Sequence, residues 1–152
     1  MTQLRPILLA EDSPEDVELV CAALKKNNLA NEVVVARDGA EALDFLYRRG
    51  EFQSRNAELP IVMFLDLKMP KVDGLEVLRQ MKSDDALRVI PVVMLTSSRE
   101  EADLVKSYRL GVNAYVVKPV DFQHFVDAVK QTGRFWAVVN EPPPEPAGRR
   151  ET

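Results

Sequence analysis

The sequence predicts an α/β domain built on a parallel sheet. Three observations carry that prediction: short runs of consecutive apolar residues, stretches whose apolar positions recur at helical spacing, and five regular alternations between the two. Unbroken apolar runs suit strands covered on both faces, as the strands of a parallel sheet are. The crossovers joining them must be right-handed.

Ile7 to Ala10 is the first apolar run, and it stops at Glu11-Asp12-Ser13-Pro14. Val17, Val20, Cys21 and Leu24 follow at helical spacing. Pro14 suits the first helical position, Ser13 or Asp12 can cap it, and Glu15 and Asp16 complement the positive end of the helix dipole. Glu32 to Ala36 forms the second strand, and Asp38-Gly39 opens a helix that buries Ala42, Leu43, Leu46 and Tyr47. Glu51 to Leu59 is polar and irregular, a connecting loop. After Pro60 the third strand runs from Ile61 to Leu65 and ends at Asp66. Met69-Pro70 lies in the loop leading to Asp73-Gly74, where a helix presenting Leu75, Val77, Leu78 and Met81 begins. Val89 to Leu95 is the fourth strand, with Pro91 marking its start and Thr96 its end. Residues 100–110 read as a helix stopped by Gly111, and Ala114 to Val117 as the fifth strand. Asp121 then caps a last helix containing Phe122, Phe125, Val126 and Val129.

The chain has 152 residues, enough for one domain with its own core. It is 46% hydrophobic and 29% charged, which excludes collagen-like, low-complexity and wholly disordered classes. A single cysteine, Cys21, permits no internal disulfide and reads as a small core residue. Neither a secretory leader nor a spanning apolar run is present, so a cytoplasmic protein is expected. The net charge of −4 supplies no bulk field for nucleic acid or anionic lipid, and neither is expected as a partner. Function must therefore come from a local site.

In open parallel sheets, ligands gather outside the carboxyl ends of the strands. Four strand ends deliver a chemically useful residue there: Glu11 with Asp12, then Asp66, Thr96 and Lys118. The second strand delivers Arg37 and Asp38, read as turn and cap. Three crowded carboxylates repel and raise one another's pKa unless protonated, salt-bridged or occupied by a cation. Magnesium fits, because it prefers oxygen ligands and uses one or two carboxylates plus phosphate oxygens. Three acids, a divalent ion and Lys118 sum to zero formal charge, leaving room for a phosphoryl group. Each piece alone has a plainer reading: Glu11-Asp12 as a helix cap, Asp66 as a turn residue, Thr96 with Ser97 and Ser98 as caps, and Lys118 as a surface-turn lysine whose bond to Pro119 is a candidate for the rare cis form. The joint pattern is the evidence.

Glu11-Asp12, Asp66 with Met69-Pro70 and Asp73-Gly74 downstream, Thr96, and Lys118-Pro119 closely resemble the receiver domains of two-component response regulators, the CheY-like family. The resemblance runs from about Ile7 to Val129. It implies a five-stranded, doubly wound, flavodoxin-like sheet of order 2-1-3-4-5. It further implies that Asp66 is a phosphoacceptor that attacks a phosphohistidine on a sensor histidine kinase. Asp12, one Asp66 oxygen and the backbone carbonyl of Lys68 would hold Mg²⁺, with Glu11 supporting its water shell. Lys118 would pair with a phosphoryl oxygen, and Thr96 would donate its hydroxyl to another. Tyr115 matches the family's switch aromatic, although a half-buried strand tyrosine accounts for it equally well on sequence alone. Such a protein catalyses only its own phosphotransfer and slow acyl-phosphate hydrolysis, and shows the result on the face formed by roughly residues 99–129. Two departures from the family pattern stand out: Glu11 replaces the more frequent Asp, and Lys68 stands where many members carry Asn. Lys68 and Ser98 occupy positions that tune the lifetime of the acyl phosphate.

Residues 1–139 are thus expected to form the receiver, with an extended last helix, and 140–152 a Pro-rich mobile tail. The segment from Gly133 to Pro143 is similar to the termini of stand-alone regulators that accompany phytochrome-type histidine kinases. No DNA-binding or catalytic segment follows Val139, so phosphorylation is expected to change binding by this domain itself. Phe135 and Trp136, with Val129, Thr132 and Val139, either fold back onto the receiver or form a two-fold interface, and a homodimer through the last helix is expected. His124, the only histidine, is expected to face solvent. An aspartyl-nucleophile phosphatase would need Asp-x-Asp after the first strand, where Asp12-Ser13-Pro14 stands. A nucleotide or flavin module would need a phosphate loop there, and Glu11-Asp12 would repel it. The intact residue set also argues against a scaffold that has lost phosphorylation.

Overall fold

A computed structural model describes residues 5–26, 31–55, 58–97, 109–112 and 114–131. β1 (Ile7–Ala10), β2 (Val33–Ala36), β3 (Val62–Asp66), β4 (Val92–Thr96) and β5 (Ala114–Val117) form one sheet in the order β2-β1-β3-β4-β5, with every pair parallel. The helices are α1 (Pro14–Lys26), α2 (Gly39–Tyr47), α3 (Gly74–Lys82) and the last helix (Phe122–Gln131), with a 3₁₀ turn at Gly50–Phe52. The expected fold and strand order are therefore present. Most of the helix expected over 100–110, the extension carrying Phe135 and Trp136, and the tail at 140–152 lie outside the described residues.

The local chemistry explains the helix starts. The Ser13 hydroxyl accepts the Asp16 N–H at 3.3 Å, so Ser13 caps α1, and Asp12 stays exposed. Asp38 caps α2 through Glu41 N–H at 2.8 Å, Asp73 caps α3 through Glu76 N–H at 2.9 Å, and Asp121 caps the last helix through His124 N–H at 2.8 Å. β4 begins three residues later than the apolar run does. Pro91 ends the irregular approach, and Val89 ahead of it is 62% exposed, so it belongs to the loop.

The pleat divides the core into two layers. Leu8, Ala10, Met63, Leu65, Val92 and Met94 face α2 and α3. Ile7, Leu9, Val62, Phe64, Val93 and Leu95 face α1 and the last helix, where Phe64 stacks on Phe125 with ring centroids 5.4 Å apart. This parity decides which side chains meet at the strand ends. Glu11 continues the Ile7, Leu9 series, and Asp66 continues Val62, Phe64, so both lean to the α1 side. Thr96 continues Val92, Met94 and leans to the other, as does Tyr115.

Candidate functional site

Beyond the carboxyl ends of β1 and β3 lies a cavity of about 160 Å³ lined by Glu11, Asp12, Ser13, Asp66, Leu67, Lys68, Ser97 and Lys118. Glu11 and Asp66 are buried, Asp12 is exposed, and carboxylate oxygens of the three lie within 4.8 Å of one another. Lys118 enters from the end of β5, just before a cis peptide to Pro119. Its backbone N–H donates to the Thr96 carbonyl at 2.7 Å. Its Nζ lies 3.0 Å from Glu11 Oε1, 3.1 Å from Asp66 Oδ1 and 3.1 Å from Asp16 Oδ2.

Of the residues expected to converge, Glu11, Asp12, Asp66 and Lys118 meet in this cavity, and Lys68 also lines it. Thr96 is fully buried at the end of β4, and its neighbour Ser97 is the residue that lines the cavity. The pleat is the reason, since it sends Thr96 to the face it shares with half-buried Tyr115. Tyr115 lines a second, larger groove of about 560 Å³ between β5 and the last helix, with Lys118, Pro119, Asp121 and His124. His124 is exposed, as expected, with Nδ1 2.8 Å from Asp121 Oδ2. Sequence reasoning missed Asp16. An acid in the first turn of a helix reads as a dipole complement, yet its carboxylate reaches Lys118, about a hundred residues away in sequence. The available signal was its spacing of one helical turn after Asp12. With Asp16 counted, the site holds four acids and Lys118, and a divalent ion leaves it at −1 rather than neutral.

Burial and then the Glu11 charge push the Asp66 carboxyl up to about 7, against the pull of Lys118. Burial alone would lower the Lys118 ammonium, but its hydrogen bond to Glu11 and the Asp66 charge outweigh it and hold the pKa above the ordinary lysine value. The donor set suits a hard divalent cation. Three carboxylates can be bridged by one ion, and an acid at the strand end is difficult to ionise without one. Glu11 is already engaged, with Oε1 on Lys118 and Oε2 accepting the Ser13 N–H at 3.0 Å. Asp12 and Asp66 are therefore the direct ligands available, and Glu11 stands behind them.

A stability prediction follows for the metal-free protein. A carboxyl whose pKa is about 7 when folded and 3.8 as a free side chain favours the folded state when protonated, so its contribution is lost as pH rises between those values. Asp66→Asn removes that loss. The site opens to solvent, which screens the effect, so the variant gains about 1–2 kcal/mol over wild type at pH 8 and little at pH 4 in denaturant unfolding with a chelator present. Equal stabilities at pH 8 would contradict it.

Residues 7–130 match the response regulator receiver domain family. The chain is 41% identical over 130 residues to Response regulator Rcp1 of Synechocystis sp., covering 86% of this chain and 87% of that protein. It is 62% identical to the solved Bacteriophytochrome response regulator RtBRR, with a TM-score of 0.84 and coverage of 93% and 86% of the two chains. The Mn²⁺-bound form of Rcp1 is 40% identical with a TM-score of 0.72, covering 87% of this chain and 94% of that one. The phosphorylated cyanobacterial phytochrome response regulator RcpA is 40% identical with a TM-score of 0.74, covering 88% and 94%. No helix among the described residues is long and apolar enough to cross a membrane.

Proposed function

Because the chain belongs to the response regulator receiver domain family, a family of two-component signalling proteins, we propose that it is a phosphorylatable switch. Asp66 accepts a phosphoryl group from a phosphohistidine of a sensor histidine kinase, in a Mg²⁺-dependent reaction. The single observation that carries this reading is the meeting of Glu11, Asp12, Asp66 and Lys118 in one cavity at the strand ends. Likeness to the Mn²⁺-bound and phosphorylated relatives supports it, and the names of the phytochrome response regulator RcpA and the bacteriophytochrome response regulator RtBRR support a phytochrome-type kinase as donor.

In the transfer, an Asp66 carboxylate oxygen attacks phosphorus in line with the histidine nitrogen. The O–P bond forms as the P–N bond breaks, and the electron pair stays on the imidazole, which takes a proton from solvent. Such transfers need mainly positioning and charge neutralisation. Asp12, Asp66 and the Lys68 carbonyl would hold Mg²⁺, which supplies positive charge to the phosphoryl oxygens when bound. Lys118, held over Asp66, offers its ammonium to a phosphoryl oxygen, and the Thr96 hydroxyl serves another once the β4 loop has shifted. Water later attacks phosphorus, releases inorganic phosphate and returns the carboxylate. The protein turns over no other substrate.

The switch follows from charge. Phosphorylation adds charge and strong acceptor oxygens at Asp66 and draws Thr96 and Lys118 toward them. Tyr115 shares the Thr96 face of the sheet and carries the change to the groove along the last helix. Residues 1–139 act as the receiver and 140–152 as a separate Pro-rich tail, in the cytoplasm. Homodimerisation through Phe135 and Trp136 belongs to the same proposal and is supported by the apolar pattern of that segment.

Intact mass after incubation with a small acyl phosphate donor tests this. One phosphate is gained with Mg²⁺ and none with a chelator. Equal gain in both would remove the metal from the account.

A further inference from the structure

An ammonium has three N–H donors, and around Lys118 three carboxylate oxygens stand ready to take them: Glu11 Oε1, Asp16 Oδ2 and Asp66 Oδ1, all at 3.0–3.1 Å. A phosphoryl oxygen arriving at Asp66 can be served by Lys118 only if one of these contacts is given up. Resting on the reading of Asp66 as phosphoacceptor, we propose that Asp16 is a positioning residue. It holds Lys118 in the resting state and is the partner released when a phosphoryl group occupies the site.

Burial selects Asp16 among the three. The Glu11 side chain is 0% exposed, so water cannot replace Lys118 there without leaving a buried bare carboxylate. Asp66 is the group that carries the phosphoryl and stays beside Lys118. The Asp16 side chain is 21% exposed at the first turn of α1 and can be rehydrated. Its backbone is fixed independently, because the Ser13 hydroxyl accepts the Asp16 N–H. The carboxylate can therefore leave Lys118 without unwinding the start of α1. Charge works in the same direction. Asp16 is the fourth acid of the site, beside Glu11, Asp12 and Asp66, and it opposes any further negative charge brought to Asp66. Asp16 thus restrains phosphoryl occupancy and ties it to the amino end of α1.

The test uses beryllofluoride, a non-covalent phosphoryl mimic, with the full chain in saturating Mg²⁺, and reads affinity by titration calorimetry. Asp16→Asn and Asp16→Ala bind it about three- to tenfold more tightly than wild type, and Asp16→Glu returns the affinity toward wild type. Glu15→Gln, which removes the same charge from the same helical turn with no contact to Lys118, changes affinity less than about twofold. In the beryllofluoride-free protein, the Lys118 side-chain ¹⁵N signal moves in both Asp16 variants and not in Glu15→Gln. Unchanged affinity in both Asp16 variants, or an equal gain in Glu15→Gln, overturns the proposal. Failure of the wild type itself to bind beryllofluoride overturns the phosphoacceptor reading, and this proposal with it.

Discussion

Lys118→Met destabilises the metal-free protein by about 3 kcal/mol and slows phosphoryl uptake about a hundredfold. Methionine keeps an apolar stem of similar length, so packing is largely preserved. The ammonium is what is lost. Glu11 and Asp66, 0% and 5% exposed, then lose the ammonium that contacts both, and removing one partner of a buried ion pair leaves the other charge uncompensated. Mg²⁺ restores part of the stability, because the divalent ion takes over some of the neutralisation. It does not restore the rate, because the donor aimed at the phosphoryl oxygen is missing. Denaturant unfolding with chelator or with Mg²⁺, together with the time course of uptake, measures both. A variant as stable as wild type without metal would show that Lys118 is not what makes the buried acids tolerable.

Gly74→Ala has the second largest effect, a loss of about 2–4 kcal/mol with uptake slowed tenfold or more. Gly74 opens α3 where the chain doubles back onto the end of β3, and its N–H donates to the Leu67 carbonyl at 2.9 Å. A Cβ at this position would stand 2.2 Å from the Asp66 carbonyl oxygen and 3.0 Å from Leu67 Cα. Both neighbours are backbone, so strand end and helix start must part. The displaced residues are Asp66 and the loop that carries Lys68. Gly111→Ala is the contrast, since among the described residues its Cβ would meet only the Lys82 side chain, at 3.6 Å, and it carries a positive φ of 83°. It leaves uptake unchanged. Equal uptake by Gly74→Ala and wild type would mean that this close approach does not position Asp66.

How far the site could be read from the sequence depended on the geometry of parallel strands. All five strands end on one side of the sheet, so an acid directly after an apolar run, as at Glu11 or Asp66, had one place to go. The same logic placed Lys118. It gave no account of which faces meet across strands, because that depends on the pairing register. Val89 to Leu95 read as one strand, but the pairing starts at Val92, and the register that turns Thr96 away from Asp66 is set there. Asp16 was hidden for another reason. Its role comes from a contact between α1 and the end of β5, and the local pattern of acids at a helix start gave it a sufficient explanation already. That one residue changes the formal charge of the metal-loaded site from neutral to −1, and with it the expectation of how readily a phosphoryl group is held.

Peptide mapping of the protein after exposure to an acyl phosphate donor and Mg²⁺ tests the central claim most directly, with wild type and Asp66→Asn run side by side. The account predicts one phosphoryl group, carried by the peptide containing Asp66 and labile to hydroxylamine as an acyl phosphate must be, and no modification of the variant. A phosphoryl group of equal yield in Asp66→Asn, or one mapped to any other residue of the wild type, would contradict it.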